Sequence, residues 1–125
     1  MERYSVSDIE WVPAPAENFT GQVLFGPISS EGTVNMLGVH FLPGARTDWH
    51  THPEGQILHV ISGVGRVGTD DGTIEITSGD SVYSPPGQLH WHGAGPNGPM
   101  THLSITTGGA TEWAPRKVTD EEYGA

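Results

Sequence analysis

The sequence contains no cysteine. Disulfides and thiolate ligands are therefore excluded, and any metal site must be built from nitrogen and oxygen donors. Cationic residues are also scarce. Five Lys and Arg stand against fifteen Asp and Glu, a formal net charge of −10, which disfavours nucleic acid and anionic membrane as partners because both bind cationic surface. No stretch approaches the roughly 18 apolar residues of a membrane helix. The beginning, "MERYSVSDIEW", shows neither the basic start nor the apolar run of a signal peptide. A cytoplasmic protein is expected, and the "NFT" at Asn18 is read as a chance glycosylation match. Helical signal is missing as well: before residue 110 no segment sustains an apolar period of 3.6 residues.

What is present is turn and strand chemistry. The 125 residues include 18 Gly and 10 Pro, enough to punctuate one domain into many short elements. The apolar runs "GQVLFGPI", "VNMLGVHFL", "GQILHVISGVGRVGT", "TIEIT", "SVYSP" and "MTHLSIT" are bounded by Gly, Asp, Asn and Pro, the pattern of strands. Asp71-Gly72 between two of them is a hairpin signal. The one helix candidate is "VTDEEYGA", with Thr119 as cap and three acids in the first turn. The expectation is an all-β, single-domain sandwich or barrel over residues 21–112. An irregular N-terminal extension (1–20) precedes it, and a short C-terminal helix or tail (113–125) follows.

Seven histidines stand out in so short a chain. Side chains alternate along a strand, so His50 and His52 point one way, as do His90 and His92. His102 shares a face with Met100, Ser104 and Thr106. His40 and His59 alternate away from apolar neighbours and are read as structural or exposed. Gln56 follows a Pro53-Glu54-Gly55 turn, so parity does not place it. Glu54 is discounted as a ligand by its place in that turn. Imidazole nitrogen suits Zn, Mn, Fe, Co, Ni and Cu. Two His on one strand and a third from another form a facial set with open coordination positions, as catalytic metal sites require. A lone H-x-H is more often a surface feature, but two such pairs beside Gly/Pro turns favour a site. Leu37, Val39 and Thr106 line a modest apolar interior by alternation. Thr47, beside the first pair, bonds a ligand or serves a turn. Trp49 and Trp91 face away from the histidines and need cover, either from a second copy of the chain or from the N-terminal segment.

At these residues the sequence resembles the cupins. The family's first motif runs Gly, five residues, His-x-His, three or four residues, Glu, six residues, Gly. Here it reads Gly44, "ARTDW", His50-Thr51-His52, "PEG", Gln56, "ILHVIS", Gly63. The second runs Gly, five residues, Pro-x-Gly, two residues, His, three residues, Asn. Here it reads Gly79, "DSVYS", Pro85-Pro86-Gly87, "QL", His90, with Ala94 where Asn would stand. The resemblance implies the family's small jelly-roll barrel, with a metal inside. "FTGQV", "PGARTDWHTHPEGQ", "HWHG", "MTHLSI" and "VTDEEY" are further similar to the small bacterial cupins that include manganese-dependent hydroxynitrile lyases. That likeness implies His50, His52, Gln56 and His90 as metal ligands and two further pocket histidines at His92 and His102.

Gln56 in place of Glu leaves a divalent site at net +2 instead of +1, a stronger Lewis acid and a better host for an anion. Mn(II) or Fe(II) is the expected metal, with Zn(II), Ni(II) and Co(II) admitted. His92 and His102 are candidates for proton transfer, since an uncoordinated His near a dication stays neutral and basic. The implied function is cleavage or formation of a C–C bond in a small α-hydroxynitrile or related carbonyl adduct. The alternatives are an Fe(II) dioxygenase and a non-enzymatic metal- or small-molecule-binding module. A small-molecule substrate and a homodimer or homotetramer complete the expectation.

Overall fold

The computed structural model describes residues 1–124. Its strands, in chain order, are β1 (Val12–Pro13), β2 (Phe19–Thr20), β3 (Val23–Ser29), β4 (Val34–Phe41), β5 (Arg46–Thr47), β6 (His50–Thr51) and β7 (Gln56–Thr69), then β8 (Gly72–Thr77), β9 (Ser81–Ser84), β10 (Trp91–Ala94), β11 (Met100–Thr107) and β12 (Glu112–Trp113). One short helix, α1 (Asp120–Tyr123), follows. The fold is mostly β, a curled antiparallel sheet forming a half-barrel. The strand order is β1-β3-β4-β11-β7-β10-β5-β2, with β8 and β9 pairing to β7 and a separate β12-β6 pair.

Strand β7 explains the curl. Its first half, Gln56–His59, pairs with β9 and β11, and its second half, Val64–Thr69, with β8 and β10. The strand changes partners at Gly63. That residue has φ 84°, and a Cβ there would lie 2.1 Å from the Pro99 carbonyl oxygen, so only glycine fits the bend. The β7–β8 turn is Asp70-Asp71, one residue before the expected Asp71-Gly72, and Gly72 opens β8 at φ 128°. The positive-φ step therefore falls just after the turn. Phe41, Leu58, Val60 and Met100 are fully buried inside the curl; removing one such side chain costs about 2–5 kcal/mol.

Residues 1–20 are less irregular than expected. They contribute β1 and β2, which pair with β3 and β5, and Phe19 joins the core. The expectation for Trp49 and Trp91 is corrected. Both rings are almost fully buried, and they cluster with Val118 and Tyr123. The C-terminal segment covers them, not the N-terminal segment, so these two rings present no surface to a second copy. Within this segment α1 is closed by a capping box: Thr119 Oγ1 accepts from the Glu122 N–H, and Glu122 Oε1 accepts from the Thr119 N–H.

Candidate active site

Two short segments bring the first histidines together. His50 opens β6 and bridges to His90, just before β10, through backbone hydrogen bonds of 2.9 and 3.0 Å. His52 follows two residues on, on the same face. Ring centroids lie 4.4 Å (His50–His90), 5.0 Å (His50–His52) and 5.4 Å (His52–His90) apart, and one ligand nitrogen of each lies within 4.8 Å of the others. The protonation pattern follows from the partners. His50 Nδ1 bonds the Asp48 carbonyl and His90 Nδ1 the Gln88 carbonyl, both at 2.9 Å. A carbonyl only accepts, so both Nδ1 atoms carry the proton and both Nε2 atoms offer lone pairs.

His52 Nε2 is buried with no partner. Gln56, the first residue of β7, donates through Nε2 to Ser104 Oγ at 2.7 Å, and its Oε1 lies 3.2 Å from His90 Nε2. His90 has already committed its proton to Gln88, so acceptor faces acceptor. A cation relieves that conflict, as does a flipped amide. Two fixed imidazole lone pairs, the unpartnered Nε2 of His52 and one amide oxygen thus converge, which fits a divalent metal of the nitrogen-and-oxygen class. Burial keeps all three rings neutral. It holds His50 well below the ordinary imidazole range, lowers His90, and with help from His90 brings His52 down to about 4. Neutral imidazole is the ligating form.

The other pair is held differently. His102 Nε2 and His92 Nδ1 are 2.9 Å apart, while His92 Nε2 and His102 Nδ1 are buried without partners. Burial pushes His92 well down and His102 to about 3, so a single proton is shared between two neutral rings. His92 lines the cavity; its ring centroid is 5.1 Å from that of His50. His102, on β11, sits behind it and does not line the cavity. Thr47 Oγ1 accepts from the His92 backbone N–H at 3.2 Å and also lines the cavity.

The cavity measures about 360 Å³. Leu37, Val39 and Thr106 line it, as do His50, His52 and Gln56. Sequence reasoning missed three aromatic walls, Phe19, Phe25 and Trp113. Phe19 meets the other two edge-on, at 5.6 and 5.7 Å between centroids. Phe25 was reachable, since it alternates with buried Val23. Phe19 and Trp113 sit in two-residue strands that carry no period. Glu54 stands outside, exposed, accepting from the Thr107 hydroxyl at 3.0 Å. His40 and His59 bond Thr101 and Ser81 away from the cavity. Ala94, where the second motif would have Asn, is fully buried in the core.

The cupin domain family matches residues 38–106. The chain is a cupin. It is 46% identical over 116 residues to the (R)-mandelonitrile lyase of Granulicella tundricola, covering 87% of this chain and 88% of that enzyme. A cupin-like protein from Thermotoga maritima superposes with a TM-score of 0.84 at 37% identity, covering 89% of each chain. A polyketide cyclase from Streptomyces resistomycificus superposes at 0.80 with 15% identity, over 98% of this chain and 90% of that one, which speaks for the fold alone. A cupin similar to this one is thus a lyase, and the buried three-histidine cluster of this cupin could hold a metal ion. No helix among the described residues is long and apolar enough to cross a membrane.

Proposed function

We propose that this cupin is a metal-dependent lyase for small α-hydroxynitriles, with His50, His52, Gln56 and His90 holding Mn(II) or Fe(II). The observation that carries this reading is His92, a residue of the cavity wall whose ring centroid lies 5.1 Å from that of His50 and whose buried Nε2 has no partner. A bound divalent ion supplies a Lewis acid for the substrate hydroxyl or nitrile. The protein's own groups do the rest. Phe19, Phe25 and Trp113 enclose the substrate's apolar part. When His92 donates Nδ1–H to His102 Nε2, its own unpartnered Nε2 is left with a free lone pair and takes the hydroxyl proton. The oxygen's electron pair becomes the second carbonyl bond, the C–CN bond breaks, and its pair leaves with cyanide. Cyanide takes the proton back from His92 and departs as hydrogen cyanide. Burial favours this cycle, because a base kept neutral is ready and a buried imidazolium returns its proton. Thr47, which fixes the His92 backbone, keeps its own hydroxyl hydrogen free to donate to substrate.

The test is elemental analysis of the purified protein, then (R)-mandelonitrile cleavage followed by aldehyde release, before and after chelation and under argon. Cleavage that needs metal and not oxygen is the expected result. Oxygen consumption with iron and no cleavage under argon would assign the site to a dioxygenase instead. Equal ligand binding by apo and loaded protein without turnover would make it a binding module.

A further inference from the structure

We infer that Lys117, on the C-terminal segment, is a positioning residue for the metal centre, acting through Asp48 on His50. The inference rests on the metal reading above. Lys117 Nζ lies 3.1 and 3.2 Å from the two Asp48 carboxylate oxygens, and donates to the carbonyls of Glu17 (2.8 Å) and Phe19 (3.2 Å). Asp48 is the residue whose own carbonyl holds His50 Nδ1. One ammonium therefore ties three stretches together: the entry to β2, the loop before β6, and the C-terminal segment.

The neighbouring bonds show how completely this loop depends on the C-terminal segment. Trp49 N–H donates to the Arg116 carbonyl, and the Trp49 carbonyl accepts from Ala114 N–H. The Trp49 indole donates to Glu122 and lies under the Arg116 guanidinium, 4.4 Å from its carbon. Asp48 N–H donates to the Asn18 carbonyl, between the two carbonyls that Lys117 holds. The Asp48 side chain is only 7% exposed, whereas that of Lys117 is 54% exposed. A carboxylate this buried needs its partner. Without the ammonium it turns toward water and draws the 48–49 peptide with it. The carbonyl on that peptide sets the tautomer and aim of His50. Lys117 touches neither ligand nor cavity, so its effect must appear in how well the centre grips an ion and not in the bond-breaking step itself.

The experiment measures affinity for Mn²⁺ and Co²⁺ alone, by titration of metal-free full-length protein, with thermal unfolding recorded for each metal-free variant. Lys117→Met should weaken both metals about 10-fold, the lower end of what outer partners of a ligating His contribute, and Lys117→Arg should restore affinity to within about 3-fold. Asp120→Ala is the control. It cuts the ion pair that the exposed Asp120 makes with the buried Arg46, loosening the same segment away from His50, and should leave metal affinity unchanged. Wild-type affinity in Lys117→Met overturns the inference, and so does an equal loss in Asp120→Ala, which would make the effect general loosening. A wild-type protein that binds neither metal overturns the metal reading and this inference with it. Normal binding by wild type and variant alike overturns only the inference.

Discussion

Two groups of buried histidines sit side by side in this barrel, and they are restrained in opposite ways. His50 and His90 each give their Nδ1 proton to a backbone carbonyl; their tautomers are fixed and their lone pairs converge. His92 and His102 bond only each other; either ring can carry the shared proton, and the outer nitrogens are unpartnered. Backbone carbonyls cannot change protonation state, so the first group is built to hold something still. An imidazole partner can, so the second group is built to let a proton move. The same residue type in the same low-dielectric interior is thus restrained in two ways, set by whether its ring meets a backbone carbonyl or another imidazole, and on the proposed reading these are two roles.

The largest expected effect breaks the first group. His52→Ala removes a ligand with an orphaned nitrogen and should abolish stoichiometric metal. Cleavage of mandelonitrile should fall by about 10³-fold or more, matching the several kcal/mol that a Lewis acid contributes; residual metal would be read by elemental analysis. The second group should break differently. His92→Ala should keep its metal and lose roughly 10²–10³-fold in kcat, the range of a positioned general base. His102→Ala, which strips only the partner behind it, should lose about 10-fold, with the pH–rate profile displaced. Equal losses in the two variants would show that both rings meet substrate, contrary to their placement in the cavity wall.

How much of this was legible beforehand depends on where each residue sits. His50, His52 and His90 lie at motif spacings, and alternation puts each pair on one face, so the cluster was readable. Gln56 was readable from the motif but not from parity, because a turn precedes it; its orientation comes from Ser104, 48 residues away. Alternation did find Leu37, Val39 and Thr106, all on strands of eight residues. Phe19 and Trp113 escaped because a two-residue strand has no period to read. The helix at Thr119 was visible as a capping pattern, but a cap says nothing about where a helix docks. Its destination over Trp49 and Trp91 is a long-range fact. The division of labour between His92 and His102 was equally hidden, since both spacing and parity treat them alike.

Acid should act on both groups in the same direction. His102 titrates near 3 in the folded state because it is buried, against about 6.5 when unfolded. Between those values the unfolded chain binds the extra proton, so stability rises with pH across that window and is lost as pH falls through it. By pH 4.5 His102 alone should cost about 2–3 kcal/mol, with His52 pulling the same way. Chemical denaturation of metal-free protein at pH 7.5, 5.5 and 4.5 measures this, and His102→Gln should flatten the curve. Metal should steepen the acid loss for wild type, because protons then compete for its ligands as well. A flat stability profile down to pH 4.5 would mean that water reaches these rings.

The smallest expected effect separates fastening the C-terminal segment from aiming the site. The Tyr123 ring is pinned between two guanidiniums, Arg46 at 4.5 Å and Arg66 at 4.6 Å, and its hydroxyl donates to the Ala94 carbonyl at 2.6 Å. Tyr123→Phe keeps the ring and both stacking contacts but deletes the hydroxyl, leaving that carbonyl without its donor inside the protein. The cost should be about 1–2 kcal/mol, the range for a buried hydrogen bond whose other partner stays behind. For a chain of this size that is a fall in Tm of several degrees. Ala94 lies two residues beyond His92 on β10, and the anchor of His90 on Gln88 lies on the other side of both histidines, so metal affinity should not change. A loss of affinity in Tyr123→Phe would mean that the segment acts on the site through β10 as well as through Asp48. The centre would then be aimed from two directions, and the contrast between a rigid triad and a looser pair would belong to the whole C-terminal wrap, not to the two Nδ1 partners.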